Sequence, residues 1–349
     1  MRASALQRIG HKVHTVDSGM LWRSASYVQR TREQALCAGS RIDAFNDAVY
    51  KAMRAVKPTL LWAEKQEFLD PSLLEDARRQ GILTIHYNPD PYFTIAWKRT
   101  ARADECLRIY DVAVVTKRYE LNRYSTHGAR RVIYSPLGYD PIVHVPSSAV
   151  AGSLADVVFV GGWEPRRERL LAEAVGITPS IGIWGYGWKA AQEHRFRPMR
   201  ALRLGRLTPG RNLYWGAPER KLAALIRPGE APHGEIYAEE YARAVAGARI
   251  SLGFLRELCP DQHTTRTFEL PAMGGFLFAD RSDDHCEFFE EGREAEFFAT
   301  AEEFRDKLSY YLSHEAQRVK LASAGRERCL NSGYSYDQRL STILTQLEK

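Results

Sequence analysis

The sequence predicts an α/β protein of two successive domains, each a parallel sheet wound with helices. Short apolar runs alternate with stretches of helical periodicity along most of the chain. The alternation is interrupted at a Pro- and Ser-bearing stretch, "YDPIVHVPSSAVAGS" (Tyr139 to Ser153), read as a linker, and then restarts. The length of 349 residues is long for one core and natural for two.

The elements follow in order. "RASALQRIGHKVHTVD" predicts a helix and then a strand at His11 to Asp17, with no strand ahead of it. This is a shortened start for such a sheet. "RIDAFNDAVYKAMRAV" (Arg41 to Val56) has apolar residues at helical spacing, and "PTLLWAE" reads as a strand. "DPSLLEDARRQG" is a helix opened by Asp70 and Pro71 and closed by Gly81. "ILTIHYNPD", "DECLRIY", "DVAVVTK", "YELNRYSTHG" and "RVIYSPLG" continue the alternation to Gly138. Strands separated by helices of about ten to fifteen residues imply right-handed βαβ units. The second cycle runs through "ADVVFVGGW" (strand into glycines), "EPRRERLLAEAV" (helix) and "ITPSIGIWGYG" (strand). It continues with "YAEEYARAVAGA" (helix), "RISLGFL" (strand), a helix inside "DQHTTRTFELPAMGG", and strand "GFLFAD". The expected domains are residues 1–145 and 146–333, with 334–349 as a final helix.

Composition narrows the function classes. Hydrophobic content of 44% with 26% charged residues is that of a globular protein. No apolar stretch approaches the ~20 residues that cross a bilayer, and no secretion signal opens the chain, so a cytoplasmic location is expected. The five cysteines form no C-x-x-C pair, which points to neither a disulfide framework nor a zinc site. The net charge of +6 admits acidic partners without choosing among them. Local basic clusters lie at "AWKRTAR" (Ala96 to Arg102), "EPRRER" (Glu164 to Arg169) and "RFRPMRALRLGR" (Arg195 to Arg206). The last interleaves apolar residues with arginine, which suits peripheral contact with the inner face of a membrane or an acidic acceptor; a solvated face is the alternative. No nucleic-acid partner is expected.

The stretch Tyr237 to Phe298, which contains "DQHTTRTFELPAMGGFLFADRSDD", resembles the carboxy-terminal domain of the CgeB-like (spore-maturation type) glycosyltransferases, part of the GT-B fold, group 1 superfamily. So does "FRDKLSYYLSHEAQRVKLASAGRERCLNSGYSYDQRL" after it, and "HYNPDPYF", "DVAVVTKRY" and "GARRVIYSPLGYDP" extend the likeness to the first half. The resemblance implies two Rossmann-like domains facing a central cleft, a nucleotide-sugar held mainly by the second, and a final helix (Tyr334 to Lys349) that returns to the first. It also implies two acids with seven residues between them, the second on the ribose and the first on the donor sugar. Asp261 and Glu269 have that spacing, with Asp in place of the usual Glu.

The residues supply a chemistry of their own. A helix starting near Thr264 or Thr265 presents unpaired N–H groups and a positive dipole end, fit for a diphosphate. The Thr hydroxyls can cap the helix or donate to phosphate, Arg266 can fork onto phosphate, and Glu269 can accept from a vicinal diol. An ordinary capped helix with Arg266 paired to Glu269 is the alternative. His263 is read as a donor contact, against a bracing role in the loop. Gly161 and Gly162, at a strand end, permit close approach of phosphate, although the full G-x-G-x-x-G is absent. Arg166 and Arg167 beside them are read as solvated.

In the first domain Glu64, Lys65, His86, Asn88, Asp90 and Lys117 lie toward carboxyl ends of strands, where α/β sheets bind ligands. An inverting transfer needs a base for the acceptor hydroxyl, and Asp90 and His86 are the candidates; a turn-shaping Asp90 and a packed His86 are the alternatives. Lys65 and Lys117 can neutralise phosphate or acceptor charge. Asp283 and Asp284 are adjacent rather than a D-x-D pair, so no metal and no cofactor are expected. The function that follows is transfer of a sugar, a hexose, from a nucleotide-diphosphate sugar to a hydroxyl of a cell-surface glycan or glycolipid precursor. A nicotinamide-dependent oxidoreductase and an inactive nucleotide-sugar-binding protein are the alternatives.

Overall fold

A computed structural model describes residues 1–95, 99–147, 155–188 and 233–347. Its contacts divide the chain into two compact units: Leu6–Pro136, and Met1–Ala5 together with the described chain from Leu137 onward. The basic stretch Arg195 to Arg206 lies outside the described residues, as do the first three residues of "AWKRTAR".

The chain opens with α1 (Arg2–Arg8), α2 (Met20–Arg23), α3 (Tyr27–Leu36) and α4 (Ser40–Val56). Ser26 and Gln29 form a reciprocal capping box at the start of α3, a signal the sequence reading passed over. Helix α4 turns Ile42, Phe45, Val49 and Met53 inward. Then β1 (Leu60–Glu64), α5 (Pro71–Arg79), β2 (Leu83–Asn88), α6 (Ala101–Ile109), β3 (Val112–Val115), α7 (Leu121–Thr126) and β4 (Val132–Tyr134) complete the amino-terminal unit. Asp70 caps α5 through the Ser72 amide, and Gly81 closes it with φ 74°. The four strands pair in parallel in the order β1-β2-β3-β4.

His11 to Asp17, expected as a strand, forms none. Alternation of apolar and polar residues reports a side-chain pattern only. A strand also needs a neighbour for its N–H and C=O groups. Among the described residues no strand pairs with the outer edge of β1, whose side chains are mostly half-buried.

In the carboxy-terminal unit, β5 (Ala155–Val160), α8 (Pro165–Val175), β6 (Ile181–Trp184), α9 (Ala238–Ala246) and β7 (Ala248–Gly253) come first. They are followed by α10 (Arg266–Ala272), β8 (Leu277–Asp280), α11 (Asp283–Phe288) and β9 (Glu296–Phe298). Helices α12 (Ala301–Ser313), α13 (Glu315–Asn331) and α14 (Tyr336–Leu347) close the chain. The strand order is β6-β5-β7-β8-β9, all parallel. Val158 and Val160 pack on one face with Phe268 and Phe289, and Val157 and Phe159 on the other with Leu171 and Phe304. Both faces are covered, as a parallel sheet requires. From β5 the chain goes to β6 on one side and then to β7 on the other, so the order reverses between β5 and β7. Ligands of such sheets bind outside the carboxyl ends at that reversal.

The stretch read as a linker is partly structure. Tyr139 bridges Ser335 in parallel fashion: its amide donates to the Tyr334 carbonyl (3.2 Å) and its carbonyl accepts from the Tyr336 amide (2.8 Å). Asp140 and His144 are buried. Backbone pairing thus draws residues from Leu137 onward into the second unit, ahead of residue 146 where the sequence placed the division. Among the described residues no helix is long and apolar enough to cross a membrane.

Candidate functional site

The order reversal of the carboxy-terminal sheet brings together the turn after β5, the turn after β7 and the start of α10. Gly161 and Gly162 form the first turn. The Gly161 amide donates to the Trp184 carbonyl (2.8 Å), and the Gly161 carbonyl accepts from Trp188 Nε1 (2.8 Å). A Cβ on Gly161 would lie 2.7 Å from the buried Phe159 ring, and one on Gly162 would lie 2.5 Å from the Tyr186 ring, which is itself 69% exposed. Tyr186 sits between two glycines in left-handed backbone, Gly185 (φ 143°) and Gly187 (φ 87°).

Of the arginines in "EPRRER", Arg167 is taken out of solvent, and Arg166 is paired while keeping about a third of its side chain exposed. Arg167 is buried and donates to the carbonyls of Gly162 (2.9 Å), Phe254 (3.2 Å) and Leu255 (3.4 Å), with Glu164 at 3.8 Å. Burial pushes its pKa below the ordinary arginine value, with Glu164 opposing. Arg166 pairs with Asp280 at the end of β8, whose other oxygen accepts from the Leu255 amide (2.7 Å). Adjacent strand ends leave carbonyls pointing together, and a guanidinium with five donors satisfies several at once.

Arg266 is the hinge of the site. Its Nε donates to the Val160 carbonyl at the end of β5 (2.9 Å), its NH1 pairs with Glu269, and its guanidinium lies over the Tyr241 ring at 4.6 Å. This bond places the two sequence-predicted phosphate elements, the glycine turn and the start of α10, side by side. Glu269 is only 2% exposed. It accepts from Tyr241 Oη (3.2 Å) as well as from Arg266, and His144 Nε2 stands 3.6 Å from its other oxygen. The Asp140 amide donates to His144 Nδ1 (2.9 Å), so the neutral ring carries its proton on Nε2, toward Glu269. Burial pushes the His144 pKa down, partly opposed by Glu269. The sequence offered Arg266 and Glu269 either as ligand groups or as a pair. The structure shows the pair, and adds His144 and Tyr241, which sequence reasoning missed because both lie on other segments.

The remaining residues of this stretch are knitted into the fold. His263 is fully buried. Its Nε2 accepts from the Leu137 amide (3.2 Å), so Nδ1 carries the proton and donates to Asp284 (2.6 Å). Two contacts within the protein engage both ring nitrogens, so His263 braces the loop instead of facing a ligand as expected. Asp284 holds a histidine rather than ending a metal motif. Thr265 sits at the N-cap without a side-chain capping bond, and the hydroxyl that accepts an amide, from Thr264 (3.1 Å), is Thr267. Asp261 is buried, with Arg256 at 3.7 Å. Because α10 has only seven residues, with Pro271 among them, its dipole is small and the cationic character of the site rests on Arg266.

In the amino-terminal unit the two base candidates separate. His86 lies within β2, 3% exposed, with Tyr92, Tyr110 and Tyr124 around its ring at 5.4 to 5.9 Å between centroids. Tyr124 Oη is 3.4 Å from Nε2. Burial lowers the His86 pKa to about 4. Buried within the strand and ringed by three tyrosines, the imidazole has no open face for an acceptor hydroxyl, and its lowered pKa makes it a weak base, so the structure favours the packed alternative for His86. Asp90 is mostly buried, 3.3 Å from the half-exposed Lys65 Nζ. Its loop is clamped by Glu120, which accepts from the amides of Tyr92 (2.6 Å), Phe93 (2.9 Å) and Thr94 (3.0 Å). Burial raises the Glu120 pKa, and these amide bonds pull it back. Lys117 is buried rather than displayed. Glu120 escaped the sequence reading because nothing near it in the chain marks it as a clamp.

Among the described residues no cluster of three His, Cys, Asp or Glu is placed to hold a metal. No curated protein matches the chain. Solved structures do, at low identity. Sucrose-phosphate synthase from Thermosynechococcus elongatus superposes with a TM-score of 0.59 at 14% identity, covering 92% of this chain and 80% of its own. Anabaena HepE in complex with UDP and glucose gives 0.59 at 11% identity, with coverage of 88% and 81%. Staphylococcus aureus TarM, solved with fondaparinux, α-GlcNAc-glycerol and UDP, gives 0.56 at 9%, with coverage of 88% and 58%. These likenesses establish the α/β fold of two parallel sheets, that of GT-B glycosyltransferases. Residues 166–345, just over half the chain, match the family described as "Glycosyl transferase-like", and the protein belongs to that family.

Proposed function

We propose that the protein is a CgeB-like glycosyltransferase that moves a hexose from a nucleoside diphosphate to a hydroxyl of a glycan or glycolipid precursor, without a metal. One observation carries this reading: Arg266 bonds the end of β5 while it pairs with Glu269, so a cation, a glycine turn and a carboxylate share the order reversal of one sheet. HepE bound to UDP and glucose, and TarM bound to UDP and α-GlcNAc-glycerol, support a uridine nucleotide donor and a glycan acceptor.

In this reading Arg266 turns from Glu269 to the diphosphate and stabilises the charge that grows as the nucleotide leaves. Glu269, so released, accepts from the ribose hydroxyls. Gly161 and Gly162 let the phosphates approach the backbone, and Thr264 and Thr265 line the same edge. Asp261 is left to the donor sugar, and Asp90 takes the acceptor proton. The work is placed in the cytoplasm, at the inner face of the membrane when the acceptor is a lipid.

The test is a thermal-shift panel of UDP, GDP, their sugars and NAD, because a ligand that binds only the folded chain raises its stability. UDP or GDP should raise the melting temperature, NAD should not, and Arg266→Ala should abolish the shift. Indifference to both nucleoside diphosphates would remove the reading. Slow donor hydrolysis by the wild type separates an enzyme from a binding protein.

A further inference from the structure

Lys65 and Asp90, at the carboxyl ends of the adjacent strands β1 and β2, form a half-open ion pair. Lys65 Nζ lies 3.3 Å from Asp90 Oδ2, and the lysine side chain is 49% exposed while that of aspartate is 11%. Lys65 also leaves β1 in left-handed backbone, φ 52°. Cys37 and Lys57 adopt that conformation where they close α3 and α4, a usual helix ending. Lys65 closes no helix. Strain of this kind in a non-glycine residue gathers at ligand sites.

The two members differ in freedom. The loop that carries Asp90 is held by Glu120 through three amides and by Thr116 Oγ1, which donates toward the carbonyls of Asn88 (3.5 Å) and Pro89 (3.2 Å). The Asp90 amide itself donates to Asn88 Oδ1 (3.1 Å). Lys65 ends in a flexible stem with its charge near solvent. Asp90 is therefore the fixed member and Lys65 the movable one.

We propose that this pair is the site of an acceptor that carries an anion, carboxylate or phosphate, near its reacting hydroxyl: the anion draws off the Lys65 ammonium, and Asp90 takes the hydroxyl proton. This rests on the transferase reading. An ammonium close to a carboxylate makes it take up a proton less readily, so an acceptor anion that draws Lys65 away makes Asp90 the better base. The acceptor O–H bond breaks with its proton passing to Asp90. The oxygen forms a bond to the anomeric carbon, and the bond from that carbon to the diphosphate oxygen breaks, its electron pair leaving on the nucleoside diphosphate. A neutral acceptor leaves the ion pair closed.

The experiment follows UDP release from UDP-glucose with glucose, glucuronic acid or glucose 6-phosphate as acceptor, alongside calorimetric binding of UDP. The wild type should use the acid, the phosphate or both about tenfold faster than glucose, a usual span for one close charge pair. Which of the two is preferred tells carboxylate from phosphate. Lys65→Gln should bring all three acceptors within about twofold, the scale of an exposed pair, with UDP affinity unchanged. Equal use of the three by the wild type, use of none while UDP still binds, or a preference that survives Lys65→Gln would overturn the inference and leave the donor site standing. Failure to bind UDP and UDP-glucose would instead strike the donor reading itself, and this inference with it.

Discussion

In the carboxy-terminal unit the turn after β5 is held by a cation: Arg167 gathers the carbonyls of Gly162, Phe254 and Leu255. In the amino-terminal unit the loop after β2 is held by an anion: Glu120 gathers the amides of Tyr92, Phe93 and Thr94. Both loops lie at carboxyl ends of parallel strands, and both clamps are buried. The difference in sign teaches that strand ends can be fixed from either side of the peptide group. A buried charge is tolerated where it meets several backbone dipoles. Removing it leaves several groups unsatisfied together, so these loops are rigid at the points where substrates are expected.

The sharpest way to break this comparison is to remove each charge. Arg167→Leu should cost about 4 kcal/mol in urea unfolding, since three carbonyls, two of them buried, lose a donor. Glu120→Gln should cost about 2 kcal/mol, because the amide oxygen still accepts. Equal costs would mean that the anionic clamp depends on its charge as fully as the cationic one. A second difference between the units is pH. Burial lowers the His86 pKa from the ordinary 6.5 to about 4, so the unfolded chain binds the proton more readily between those values. The stability contributed by the neutral ring is full above pH 6.5 and lost as pH falls toward 4, by up to about 3 kcal/mol. Wild type and His86→Phe, unfolded in urea at pH 7 and pH 4, should show the wild type losing more.

Smaller effects sharpen the picture of the glycine turn. Gly185→Ala sets a Cβ 2.1 Å from the Gly161 carbonyl oxygen at φ 143°, and should cost about 2 kcal/mol. Gly162→Ala meets only the exposed Tyr186 ring, which can swing aside, and should cost under about 1 kcal/mol of stability while weakening UDP binding. The smallest effect concerns metal: added chelator should leave UDP binding and turnover unchanged.

Much of the fold was legible because hydrophobic period and capping residues are local. Asp70, Pro71 and Gly81 marked α5, and the apolar runs of β2, β3, β5 and β7 stood out as buried parallel strands. His11 to Asp17 misled because a strand depends on a neighbour that its own residues do not encode. Around α10, the pairing of Arg266 with Glu269 was one of the two readings the sequence offered, and the glycine turn was visible at its strand end. Arg167, Glu120 and His144 were not legible, because their partners are set by tertiary packing: Phe254 is 87 residues from Arg167, and Glu120 reaches back to Tyr92. Histidine was the least readable type. His86, His144 and His263 all lie inside, and only their surroundings tell a core ring from a brace.

The ladder between Tyr139 and Tyr334–Tyr336 fastens the chain's exit from its first sheet to the threshold of its last helix. Losing the tail would therefore do more than shorten the protein. With Ser335 and its neighbours gone, the segment through Asp140 would lose its anchor, His144 would drift from Glu269, and a carboxylate more than sixty positions upstream of the cut would feel it. A protease acting near Ser332 would act on the surroundings of Glu269 without touching them.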